Sequence, residues 1–312
     1  MAILIALFKT VRPRQWLKNF ALFGALIFTG LLYQKGAFGL VTQAFFIFTI
    51  LSSATYIFND LLDVGTDRLH PFKKNRPIAS GALPISVAFF ALIAGTVIGL
   101  TWAYTLNLFF FISCLVYLFI QVLYTGFLKK VAIIDVIVIA LGYLIRVYAG
   151  AFVISAHMDV WFLLTVISAS LFLAVGKRRG EMTLMMSRGN GASTFTRETL
   201  KHYTEKLLDI YTAMFATATW ITYSLFTFNH PKIVPDGRAL SLISILPKTL
   251  ISEKWMMITI PFVVYGIMRY LQLIYEKNEG ESPERVLFSD KPLIITVGLW
   301  VVVIIGVLYY IA

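Results

Sequence analysis

The sequence predicts an all-α fold, an integral membrane bundle of nine transmembrane helices, on three observations. Nine runs of roughly 17 to 25 apolar residues recur along the chain, each long enough to cross about 30 Å of hydrocarbon as a helix. Hydrophobic residues make up 59% of the 312 and charged residues 14%, with a mean hydropathy of +0.80, which is too apolar for a dissolved globule. The 27 Lys and Arg residues gather on alternate connections between the runs, the asymmetry that marks cytoplasmic loops.

The runs fall at 15–34, 38–61, 84–104, 106–126, 131–154, 159–176, 206–228, 255–275 and 292–311. Ahead of the first, Met1–Phe8 is apolar but short, and its charges (Lys9, Arg12, Arg14, Lys18) follow it, the reverse of a secretory signal. Residues 1–14 therefore read as an amphipathic segment on the membrane surface. Only the turn at Ala103–Asn107 separates the third run from the fourth. Fusing them would send Lys129-Lys130 and Lys177-Arg178-Arg179 to the side opposite Lys73-Lys74-Arg76, so the charge asymmetry keeps them apart. With a cytoplasmic N-terminus, segments 62–83 and 177–205 become cytoplasmic loops and the C-terminus lies outside. Within the outer connection Asn229–Lys254, Leu240–Leu250 reads as interfacial. No hydrophilic insertion interrupts the series, so 1–312 reads as a single polytopic domain in a cell inner (plasma) membrane.

The net charge of +11 does not imply nucleic-acid binding, because the basic residues sit between apolar runs rather than on a soluble surface. Cys114 is the sole cysteine, which rules out an intrachain disulfide and a multi-thiolate metal site.

Asp60, Asp63 and Asp67 stand at i, i+3 and i+7, one face of a helix, with Asn59 beside them. Three converging carboxylates raise one another's pKa unless a cation sits among them. Such oxygen-rich groups suit Mg²⁺, which is shared with substrate phosphates. The bland reading is a solvated helix end paired with Arg68, Lys73 and Lys74. Against it, the stripe begins where an apolar run ends, and ionisable groups at membrane depth are usually functional. The loop His70–Gly81 then supplies cations, two prolines and a closing glycine. Arg76 is its best phosphate ligand because a planar guanidinium can hold a phosphate by two hydrogen bonds. Lys73 and Lys74 either share that task or serve the topological charge bias.

These residues resemble the UbiA superfamily of membrane prenyltransferases, whose first signature is an NDxxDxxxD helix followed by a basic loop ending in Arg-Pro. Asn59, Asp60, Asp63, Asp67, Arg76 and Pro77 match it position by position. Within the superfamily the chain is similar to the decaprenyl-phosphate phosphoribosyltransferase branch, through Arg12-Pro13-Arg14-Gln15-Trp16-Leu17-Lys18-Asn19, His70–Gly81 and Gly176-Lys177-Arg178-Arg179-Gly180-Glu181. The resemblance implies transfer of 5-phosphoribose from phosphoribosyl pyrophosphate (PRPP) to a polyprenyl phosphate of decaprenyl type, releasing pyrophosphate, for cell-envelope glycoconjugate synthesis. It implies Mg²⁺ held by Asp60, Asp63 and Asp67. Where prenyl-transferring members carry a second aspartate-rich motif, this chain has Lys177, Arg178, Arg179 and one carboxylate, Glu181. A phosphoribosyl transfer handles more phosphate than a prenyl transfer, and crowded phosphates need cations. Lys18, Asn59, Lys73, Lys74, Arg76, Lys177, Arg178, Arg179, Glu181 and Tyr203 are the substrate-binding residues this implies.

Each basic group also has a plainer reading: Lys177–Arg179 as a topological anchor, and Lys177 with Glu181 as an i,i+4 helix pair. Arg146, within the fifth run with Asp135, is either a substrate ligand or half of an interhelical ion pair. Two alternatives compete with phosphoribosyl transfer: prenyl transfer from a prenyl diphosphate to an aromatic acceptor, and a secondary transporter using its acidic residues as an ion path. The stripe's place at one membrane face argues against transport. A homo-oligomer is compatible with all of these readings.

Overall fold

The computed structural model describes residues 2–69, 73–187, 200, 202–231, 254–276, 286 and 289–311. His70 and the expected interfacial stretch 240–250 lie outside them. Among the described residues, seven helices are long and apolar enough to cross a membrane. The chain forms two compact units.

The first unit comprises 1–26, 31–157 and 188–202. It opens with α1 (Ala2–Thr10), whose Leu4 and Phe8 are exposed, followed by a ten-residue 3₁₀ segment, Pro13–Leu22. The 3₁₀ segment runs into the short helix α2 (Phe23–Phe28). The single apolar helix expected over 15–34 is therefore not formed as one α-helix. Two local contacts account for this: Trp16 and Asn19 hydrogen-bond to side chains of α3 (Ala37–Leu62), and Gly150 presses directly on the Leu22 carbonyl. A Cβ at position 150 would stand 2.0 Å from that oxygen, so only glycine permits the approach.

After α3 comes α4 (Val64–Leu69), with Asp63 as the hinge residue between them. The bonds Asp63 N–H to Asn59 O (3.0 Å) and Asp67 N–H to Asp63 O (2.8 Å) carry the helical ladder across that hinge. Helices α5 (Ile85–Leu106) and α6 (Leu108–Gly126) are separate, as the charge asymmetry requires. The divider is Asn107, whose extended backbone ends α5 and whose side chain caps α6 by accepting from Phe109 N–H and Phe110 N–H. Helix α7 (Ile134–Val153) completes the unit. Its core joins Leu22 and Leu26 to Val41, Phe48, Phe110 and Tyr117. A second cluster seats Ala6 of α1 against Ile57, Ile78 and Leu83, tying the N-terminal helix to the loop that follows the aspartates.

The second unit comprises 27–30, 158–187 and 203–312. It contains α8 (Val160–Ser187), α9 (Glu205–Asn229), α10 (Ile260–Tyr275) and α11 (Lys291–Gly306). Helix α9 matches the expected run 206–228 but is not one of the seven, because threonine and serine recur along it and Glu205, Lys206 and Asp209 open it. Its hydroxyls return to the helix backbone, as Thr212 to Leu208 O and Thr219 to Phe215 O. Gly176 lets α8 meet Tyr270 and Ile274 of α10.

Large apolar side chains such as Phe90 on α5 and Val302 on α11 are exposed. A membrane helix turns such a face to lipid. The molecule is an all-α, multi-pass integral membrane protein.

Candidate active site

Asp60 lies near the C-terminal end of α3 and Asp67 on α4, and both are buried. One nitrogen of Arg76 serves both: Nη1 donates to Asp60 Oδ1 at 3.0 Å and to Asp67 Oδ2 at 2.7 Å. Asp60 Oδ1 also accepts from Arg12 Nη2 at 2.5 Å, and the Asn59 side chain hydrogen-bonds to Asp60. The Arg12 guanidinium lies 5.1 Å from the Tyr56 ring centroid, so an aromatic face supports it from α3.

Local structure explains the clamp. Pro77 follows Arg76 in a turn whose backbone is closed by Arg76 N–H to Lys73 O and Ser80 N–H to Arg76 O, both 2.9 Å. Ile78 and Leu83 anchor that turn in the core and leave Arg76 half-buried, facing the aspartates. Lys73 and Lys74, on the 3₁₀ turn before it, are exposed. Arg12, between α1 and the 3₁₀ segment, takes a left-handed conformation (φ 52°), uncommon for a residue other than glycine, and its guanidinium meets Asp60.

Of the three carboxylates, Asp60 and Asp67 meet on Arg76 and Asp63 pairs elsewhere. Asp63 accepts from Lys129 Nζ at 2.9 and 3.0 Å through its two oxygens. Among the described residues, no three acidic, histidine or cysteine side chains converge as a metal-ligand group. Residues at i and i+7 remain on one face, whereas Asp63 at the hinge points to the connection between α6 and α7. The arrangement still fits Mg²⁺. Two carboxylates focus on one point of positive charge, and Mg²⁺ is commonly held by one or two carboxylates together with substrate phosphates. Asp60 and Asp67 are the pair that would hold it.

Arg12 and Lys129 meet the aspartates without any local sequence pattern that selects them for it. Arg12 lies in the motif Arg12–Asn19, and topology alone accounts for Lys129 in the sequence. They are 48 and 66 residues from their aspartate partners, a separation no local pattern reports. Lys18 is half-buried on the 3₁₀ segment, and Asp135 is buried at the start of α7. Arg146 is buried farther along α7 and bonds to the Asn19 amide, the Gly142 carbonyl and the Tyr117 hydroxyl, three neutral groups where an ion pair was the plainer expectation.

The second unit carries the other basic group. Arg178 is fully buried, with Nη1 donating to Glu181 Oε2 at 2.6 Å. Glu181 therefore pairs at i,i+3 with Arg178. Arg179 has three side-chain partners: Nε donates to Asp209 Oδ1 at 2.6 Å, Nη1 to Thr183 Oγ1 at 2.5 Å, and Nη2 to Glu205 Oε1. Tyr275 stacks on it at 5.2 Å and donates its hydroxyl to the same Asp209 oxygen at 2.8 Å. Arg179 thus ties α8 to α9 and α10. Lys177 is half-buried and Tyr203 buried.

The family model of the UbiA prenyltransferase family matches residues 20–290. Decaprenyl-phosphate phosphoribosyltransferase of Mycolicibacterium smegmatis is 33% identical over 311 residues, covering 97% of this chain and 92% of that protein. The protein of the same name from Corynebacterium glutamicum is 32% identical, covering 96% and 86% respectively. Among solved structures, a UbiA homolog from Archaeoglobus fulgidus bound to GPP and Mg²⁺ superposes with a TM-score of 0.66 at 18% identity, covering 97% of this chain and 99% of that one. With the family match spanning most of the chain and the fold shared end to end, this protein belongs to the UbiA prenyltransferase family.

Proposed function

We propose that this protein transfers 5-phosphoribose from PRPP to a polyprenyl phosphate of decaprenyl type, releasing pyrophosphate. The observation that carries this reading is the Asp60–Arg76–Asp67 clamp, two buried carboxylates and two guanidiniums focused on one place. Full-length similarity to relatives named for phosphoribosyl transfer to decaprenyl phosphate selects the substrates.

Asp60 and Asp67 would hold Mg²⁺, which would neutralise the charge that builds on the departing diphosphate. Arg76 and Arg12 reach the same point and take phosphate oxygens, and Lys129 beside Asp63 adds a third cation. The C1–O bond to the diphosphate breaks with its electron pair leaving on pyrophosphate, and an oxygen of the acceptor phosphate forms the new bond to C1. The centre is oxocarbenium-like, and an already ionised phosphate attacks it without a strong general base. Lys18, Asn59, Lys73, Lys74, Lys177 and Tyr203 bind substrate. Arg178 and Glu181 act as a pair on the same task.

The chain forms one polytopic domain with nine crossings, a cytoplasmic N-terminus and an external C-terminus. The count adds the 15–34 segment and α9 to the seven apolar helices. Residues 1–14 lie on the interface, and the loops 62–83 and 177–205 meet cytosolic PRPP. The enzyme works as a monomer or a homo-oligomer.

The test supplies membranes containing the protein with labelled PRPP, polyprenyl phosphate and Mg²⁺, and in parallel with labelled geranylgeranyl diphosphate and an aromatic acid. Label from PRPP is expected in the lipid phase. Consumption of the prenyl diphosphate alone would assign the protein to prenyl transfer instead.

A further inference from the structure

Arg146 sits within α7, a helix apolar enough to span the membrane, and is only 5% exposed. An ionised side chain at such depth is costly unless its surroundings are built to receive it. They are. Nε donates to Asn19 Oδ1 at 2.8 Å, Nη1 to the Gly142 carbonyl at 2.6 Å, and Nη2 to the Tyr117 hydroxyl at 3.1 Å. The guanidinium also lies 4.8 Å from the Tyr117 ring centroid and 6.0 Å from that of Phe48.

These contacts link α7 to α6 through Tyr117, to α3 through Phe48, and to the 3₁₀ segment through Asn19. Asn19 is the pivotal partner because its amide has two ends. With Oδ1 receiving Arg146, Nδ2 must face α3, where it donates to Thr49 Oγ1 at 3.1 Å and Ser52 Oγ at 3.3 Å. Ser52 lies on the order of two turns before Asp60 on that helix. The same 3₁₀ segment holds Trp16, which donates to Ser53 Oγ at 3.1 Å, and starts beside Arg12, the cation on Asp60. The alignment of this segment along α3 therefore determines where Arg12 meets the carboxylate.

We propose that Arg146 is a positioning residue: by gripping Asn19 it fixes the register of the N-terminal segment against α3, and so places Arg12 on Asp60. The proposal rests on reading Asp60 as part of the diphosphate site. On this view Arg146 does not touch substrate. A lysine cannot replace it, because one ammonium cannot reach Asn19, Gly142 and Tyr117 together.

The test compares Arg146→Lys, Arg146→Gln and Asn19→Leu by two measurements. The first is the kinetics of PRPP-dependent transfer. The second is crosslinking by a short bifunctional maleimide of Trp16→Cys to Ser53→Cys in a Cys114→Ser background, which needs no turnover. We expect kcat/KM for PRPP to fall by about tenfold or more in each variant, with kcat lowered as well, since a misplacement of ~1 Å can cost about a hundredfold. Crosslinking falls by at least about half, and the Arg146→Gln/Asn19→Leu double variant is no worse than the worse single, as expected for two members of one linkage. A raised KM with crosslinking and kcat preserved would make Arg146 a phosphate ligand and overturn the proposal; so would additive losses. Should Arg146→Gln fail to accumulate, Arg146→Lys carries the same comparison. If the unsubstituted protein shows no phosphoribosyl transfer, the functional reading fails, while unchanged crosslinking in the variants separately refutes the positioning role.

Discussion

Arg76 Nη1 uses its two N–H donors on Asp60 and Asp67, so the rest of the guanidinium fork supplies three further donors for phosphate oxygens where a lysine ammonium would keep one. Arg76→Lys is therefore expected to lower transfer by about tenfold to a hundredfold, with Arg76→Ala lower still, since removing one partner of a buried pair leaves a carboxylate uncompensated at about 3–5 kcal/mol. Steady-state rates at saturating substrate measure this, with folded yield by gel filtration as the control. Lys129 offers a contrasting case. Lys129→Met leaves the Arg76 clamp intact, so kcat/KM for PRPP should fall by roughly tenfold through one lost charge-assisted contact, about 1.5–3 kcal/mol at most, while thermal stability changes little. Equal loss of stability and activity would make Lys129 a structural pair with Asp63 only. Asp60, Asp67 and Arg76 were legible in the sequence because helical spacing and a Pro-bounded loop are local patterns. Arg12 and Lys129 were not, because their placement depends on how separate elements pack, and a positive charge near a membrane face already has an explanation in topology.

At the scale of elements, the clearest agreement between pattern and structure is the break at Asn107. A polar residue able to cap a helix, set between two apolar runs, is local chemistry that the sequence exposes directly. The 3₁₀ segment Pro13–Leu22 is the converse. Its apolar content reads as a helix, but tertiary bonds from Trp16 and Asn19 and the approach of Gly150 govern its backbone. Two glycines separate rigid from yielding contacts. Gly150→Ala would drive a Cβ to 2.0 Å from the Leu22 carbonyl, backbone that cannot move aside, and is expected to destabilise by about 1–3 kcal/mol or prevent accumulation. Gly176→Ala meets side chains rather than backbone, the end of Ile274 at 2.9 Å and the Tyr270 ring at 3.1 Å, and is expected to cost less than Gly150→Ala. Thermal unfolding in detergent should rank Gly150→Ala well below Gly176→Ala; the reverse order would contradict the packing described.

On the scale of the whole molecule, the basic residues that set sidedness and those that meet the aspartates belong to one population. That explains why charge counting predicts the cytoplasmic loops and leaves the individual roles unresolved. Sidedness itself can be measured. In a Cys114→Ser background, Lys35→Cys should react with a membrane-impermeant maleimide in intact cells, and Lys74→Cys only after permeabilisation; both positions are exposed. The opposite labelling would invert the topology and remove PRPP from reach of the site. The most direct measurement of the central claim follows label from PRPP into a polyprenyl phosphate in the presence of Mg²⁺, together with pyrophosphate release, for the unsubstituted protein, Asp60→Ala and Asp67→Ala. The account expects lipid-phase label and pyrophosphate in equal amounts, abolished in both variants; no lipid-phase label, or unchanged label in both variants, would contradict it.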